Sequence, residues 1–88
     1  TNVDKVKKIL VELAKRHLLI LKHPEPQAFL IAFTDKGIRF SLVYKVADYK
    51  DEFRTQEELR CEIEKKFQAE KIEMALPQMV VHLKGEKQ

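Results

Sequence analysis

Side chains able to do chemistry are few in this chain, and their spacing limits what they can do. There are three histidines, His17, His23 and His82, and one cysteine, Cys61, in 88 residues. A metal centre needs Cys, His or carboxylate side chains that converge. A predicted helix end separates His17 from His23, and His82 stands on a predicted strand, so the spacing does not gather them. They read instead as a cation at a helix C-terminus, a linker residue and a surface strand residue. No Cys-x-x-Cys pair occurs, which disfavours a metallochaperone. A single cysteine allows no intrachain disulfide and suits a reducing compartment. Glu58 with Glu62, and Glu62 with Lys66, are i,i+4 neighbours on a solvated helix face. A working acid/base pair would need burial or a shared pocket to shift its pKa. No Gly-x-Ser-x-Gly elbow, glycine-rich phosphate loop or His-Glu-x-x-His is present. The expectation is a non-enzyme with no catalytic residue, no metal and no cofactor.

Nucleic acid is the sharper alternative. Lys36-Gly37-Ile38-Arg39-Phe40 faintly echoes the Lys-Gly-Phe-Gly-Phe motif of RNA-recognition sheets. Ile38 stands where the first stacking aromatic belongs, and Arg39 where a small residue lets a base approach. Phe40 and Tyr44 have a simpler use as core residues of an alternating strand. The net charge is +3, from 17 basic and 14 acidic residues. That is weaker than the concentrated field of a typical nucleic-acid binder. The sequence therefore predicts no nucleic-acid partner. A small RNA-binding or regulatory module is the alternative function.

These residues must be positioned by a single small domain spanning residues 1–88. Apolar residues make up 44% and charged residues 35% of the chain, with 2 glycines and 3 prolines. That balance is globular. A domain of this size buries only about 60–65% of its unfolded surface, which leaves little room for a deep cleft. No apolar run approaches the length needed to span a bilayer, and no signal peptide opens the chain.

Thr1-Asn2-Val3-Asp4 reads as a capping box. Val3, Val6, Leu10, Leu13, Ala14 and His17 then form one apolar stripe, with Ile9 on its edge, which predicts an amphipathic helix of about four turns. His23-Pro24-Glu25-Pro26 is an extended linker. Gln27 to Phe33 is a nearly continuous apolar run, expected to form a strand buried on both faces. Asp35-Lys36-Gly37 is a turn. From Ile38 to Ala47 the residues Ile38, Phe40, Leu42, Tyr44 and Val46 alternate with Arg39, Ser41, Val43, Lys45 and Ala47, the clearest strand signal in the chain. A second helix is predicted from about Lys50 to Glu70, capped by Asp48, with Phe53, Leu59, Ile63 and Phe67 on its apolar stripe. Thr55-Gln56-Glu57-Glu58 is itself a capping box and offers a second place for a helix to begin. Cys61 lies off the stripe, facing solvent. A last strand runs from Met79 to Lys84, and residues 85–88 form a frayed tail.

The order α-β-β-α-β, with a helix committed from its first residue, suggests a preceding strand upstream. Restoring one gives an α+β, ferredoxin-like (β)αββαβ sandwich, with two helices on one face of an antiparallel sheet. The expected sheet has an open central slot where the first strand belongs, to be filled by a neighbouring chain, a tag or a repacked final strand.

The residues from the linker onward resemble the cytoplasmic C-terminal α/β domain of the MscS family of small-conductance mechanosensitive channels. Thr1 to Val6 resembles the turn that opens the family's first helix here. Pro24-Glu25-Pro26-Gln27 resembles the proline-rich approach to the next strand, Ile38-Arg39-Phe40-Ser41-Leu42 that of the strand after it, and Asp48-Tyr49 the following turn. Ile72-Glu73-Met74-Ala75-Leu76-Pro77-Gln78, followed by Val81-His82-Leu83, resembles the family's Gly-Ile-Glu-Ile-Pro-Phe-Pro-Gln and Val-His-Leu signature. Lys71 stands where the family usually has glycine, so a left-handed cap there would carry strain. Ala75 replaces a frequent proline and Val80 a common aspartate.

The resemblance implies structural rather than catalytic roles for Pro24, Pro26, Gln27, Phe40, Asp48, Tyr49, Ile72, Pro77, Gln78, Val81, His82 and Leu83. It also implies a channel at the bacterial inner membrane, with membrane helices upstream. Seven subunits would enclose a cytoplasmic vestibule, and ions and small solutes would leave on osmotic downshock. This segment, itself soluble, would supply vestibule wall and contacts with its own copies.

Overall fold

The computed structural model describes residues 3–35, 37–74 and 76–83. The chain order is helix α1 (Val3–Arg16), strands β1 (Gln27–Thr34) and β2 (Gly37–Val46), a single 3-10 turn (Tyr49–Asp51), helix α2 (Glu52–Ala69) and strand β3 (Gln78–Leu83). The architecture is α+β, as expected. Thr1, Lys84 and the 85–88 tail lie outside the described residues.

One cluster forms the core. Val6, Ile9, Leu10 and Ala14 of α1 meet Leu59, Ile63 and Phe67 of α2, and alternate residues Phe40, Leu42, Tyr44 and Val46 of β2. The period of two in β2 and the three- and four-residue steps in the helices place those side chains on facing surfaces. Both helices therefore cover one side of the sheet. Leu13 and Val3 pack at the margin of this cluster.

The sheet differs from expectation in strand direction, and the final strand closes the expected slot. The order is β1-β2-β3, with β1 antiparallel to β2 and β3 parallel to it, so the sheet is mixed rather than antiparallel. No slot separates β2 from β3: Ser41 to Val46 pair in register with Gln78 to Leu83. The cause is the connection. A helix between two strands returns the chain to the end where it started, and the next strand then runs parallel to the first. The final strand itself takes the central partner's place.

Strand β1 is also not buried on both faces. It is an edge strand with alternate residues exposed, Phe29 and Ile31 among them. Its inner residues Ala28 and Leu30 pack against the core. A bulge between Leu30 and Ala32 shifts the register, leaving Ala32 opposite Arg39 and Phe33 opposite Ile38. Gly37 closes the hairpin at φ 127°, a conformation glycine adopts without a side-chain penalty.

Helix α2 is one helix, and Thr55 lies within it, fully buried, rather than starting a new one. Asp48 caps the preceding 3-10 turn, its Oδ1 accepting from Lys50 N–H at 3.0 Å. Phe53 does not join the stripe. It is 74% exposed in the first turn of α2. Thr55, two residues on, is fully buried instead.

Candidate functional site

At the end of α1 the chain turns sharply. His17 N–H donates to Ala14 O at 3.2 Å, Ile20 N–H to His17 O at 3.3 Å, and Leu21 N–H to Lys45 O at 2.8 Å. This turn and the first half of α2 border an open groove of about 680 Å³. Leu13 and Leu19 supply its apolar part, and Arg16, Arg54, Glu57, Glu58 and Glu62 its charges. Cys61 is exposed along it, as its position off the stripe implied.

His17 crosses the groove. Its Nε2 lies 2.8 Å from Glu58 Oε1, and Arg54 Nε donates to Glu58 Oε2 at 3.1 Å. These two donors, Arg54 first and His17 second, hold the Glu58 carboxyl below its ordinary pKa. At the other end of the helix pair, Lys5 reaches Glu70 at 3.1 Å, and Lys66 approaches the same carboxylate at 3.5 Å. Lys5 is the larger cause of the lowered pKa of Glu70. Sequence spacing could not reveal the His17–Glu58 contact, because 41 residues separate the partners; only the packing of α1 on α2 brings them together.

The residues singled out by sequence fall into three groups. Pro24, Gln27 and His82 converge on a small cavity of about 130 Å³, which Glu25, Val43, Tyr44 and Lys45 complete. Phe40, Ile72, Val81 and Leu83 belong to the core or pack against it, and Pro26 and Pro77 are buried. Asp48 caps a turn, whereas Tyr49 and Gln78 are exposed. Phe40 is buried beneath the helices, so it is not presented for base stacking as the RNA-sheet echo would require. His23 is exposed in the linker and does not line the groove that His17 borders.

The buried hydroxyls of Tyr44 and Thr55 have no hydrogen-bond partner among the described residues. Burial, with Glu52 adding to it, pushes the Tyr44 phenol up to about 12. Among the described residues no group of three or more His, Cys, Asp or Glu side chains could hold a metal ion. No helix there is long and apolar enough to cross a membrane.

On the sheet side away from the helices Phe29 is exposed, Val43 and Val80 are half-buried and Ser41 is buried. In the cross-strand register Gln27 pairs with Val43 and Phe29 with Ser41, while Val43 and Ser41 pair in turn with Val80 and Gln78. Residues directly opposite share a face, so Phe29, Val43 and Val80 form an apolar strip bordered by Lys45 and His82.

Residues 1–74 match the family model of the C-terminal domain of the mechanosensitive ion channel MscS. The chain belongs to that family, which is one of channel domains. Channels of the family are oligomers. No curated protein matches the chain.

Proposed function

We propose that this chain is the cytosolic vestibule and assembly domain of a mechanosensitive channel that releases ions and small solutes on osmotic downshock. The observation that carries the reading is the family match over residues 1–74. In this reading membrane helices belong to another part of the protein, the channel sits in the bacterial inner membrane, and seven copies surround the vestibule. The domain contributes wall and subunit contact and does no catalysis. Pro24, Pro26, Gln27, Phe40, Asp48, Tyr49, Ile72, Pro77, Gln78, Val81, His82 and Leu83 serve to shape strands, turns and core.

The sheet face away from the helices supports the assembly role. Phe29 and Ile31 are exposed on the edge strand, and an apolar strip rimmed by polar residues favours association. We assign this face to contact with a second copy of the chain. The test is to express the whole protein in cells lacking their own tension-gated channels. Survival of downshock, together with tension-activated currents in membrane patches, is the expected result. Phe29→Lys with Val43→Lys should reduce the assembled fraction in detergent. Patches without current would overturn the channel reading, and unchanged assembly of the double variant would overturn the assigned face.

A further inference from the structure

Both ring nitrogens of His17 are engaged. Leu19 N–H donates to Nδ1 at 3.1 Å, while Nε2 stands 2.8 Å from Glu58 Oε1. A ring that accepts at Nδ1 carries its proton at Nε2, so one neutral tautomer satisfies both partners and donates to Glu58. A second proton would place an N–H on Nδ1 directly against the Leu19 N–H. Two donors cannot bond to each other, so that link is lost, while the contact with Glu58 becomes an ion pair.

We propose that His17 is a proton-operated latch. The neutral ring ties the Leu18–Leu19 turn to α2; the protonated ring keeps Glu58 and releases the turn. The side chain is only 12% exposed, so its two bonds are not simply replaced by water on every side. Other charged or titratable groups lining the groove are Arg16 at the end of α1, and Arg54, Glu57, Cys61 and Glu62 on α2. From the sheet, the contact with this turn is through backbone, with Lys45 O accepting from Leu21. Glu58, held below its ordinary pKa by Arg54 and His17, stays ionised across the range in which a histidine titrates, about pH 6–7. The released segment carries Leu18, which is 98% exposed, and Leu19. Acidification would therefore loosen an apolar pair beside the groove without dissolving the core. This inference does not depend on the channel reading.

Nitrogen and proton NMR of the 88-residue chain between pH 5 and 8 tests it. At pH 8 the His17 ring should show the Nε2–H tautomer. Its titration and the shift of the Leu19 amide should share one midpoint. Protection of that amide against exchange, corrected for the intrinsic pH dependence, should fall about fivefold on protonation. His17→Gln, which can accept and donate but does not titrate, should leave the Leu19 amide unresponsive to pH. An Nδ1–H tautomer at pH 8, or a Leu19 amide that ignores the His17 titration, would overturn the proposal.

Discussion

Lys71 holds φ at 57°, in the left-handed region that favours glycine. It does so at the end of α2, where Ile72 N–H donates to Phe67 O at 2.8 Å and Lys71 N–H to Gln68 O at 3.1 Å. This pair of bonds is a Schellman cap, with Ile72 brought back toward the core beside Phe67. The strain expected at Lys71 from its place in the family pattern is present. Lys71→Gly should stabilise the domain by about 1 kcal/mol, measured by urea unfolding; no gain would mean that the cap tolerates lysine without strain. Thr55 gives a second case. Its buried hydroxyl has no partner among the described residues, so Thr55→Val should also stabilise by about 1 kcal/mol. Neither Thr55 nor Phe53 was assigned correctly by reading local patterns. A capping-box motif and a large aromatic ring are strong local signals, yet the helix runs through the first and turns the second to solvent.

At the scale of elements, periodicity was a good guide wherever a single face is buried. The stripe of α1, the Leu59, Ile63 and Phe67 positions of α2, and the alternation of β2 all meet in the core. Strand pairing was not legible, because an apolar strand reads alike at an edge or at the centre of a sheet, and direction depends on the connection. The ties between elements were equally hidden. Lys5 with Glu70 and His17 with Glu58 fasten the two ends of the α1–α2 pair. Both carboxyls sit below their ordinary value of 4.5 when folded. A depressed folded pKa contributes stability that is fully present above the unfolded value and is lost as pH falls through the folded one. Unfolding free energy should therefore decline from about pH 4.5 downward, and Glu58→Gln together with Glu70→Gln should flatten that decline. An unchanged acid slope in the double variant would show that these contacts do not couple to folding.

For the molecule as a whole, β2 is the strand on which everything meets: a hairpin partner on one side, a parallel partner on the other, and two helices above it. The family pattern identified the domain because its residues serve that arrangement. Buried prolines lead into β1 and β3, and a capping aspartate precedes α2. The bulge beside Leu30 gives this plan an unusual allowance in chain length. Ile31 has no counterpart opposite it, whereas its neighbours Leu30 and Ala32 are matched to Phe40 and Arg39. Omitting Ile31 would preserve every existing match, whereas omitting Ala28 would turn the segment before it inside out. A shortened protein lacking Ile31 should thus keep its amide spectrum outside the hairpin, and one lacking Ala28 should lose it. The edge of this sheet carries a spare residue, and evolution or an engineer could remove it without rewriting the rest.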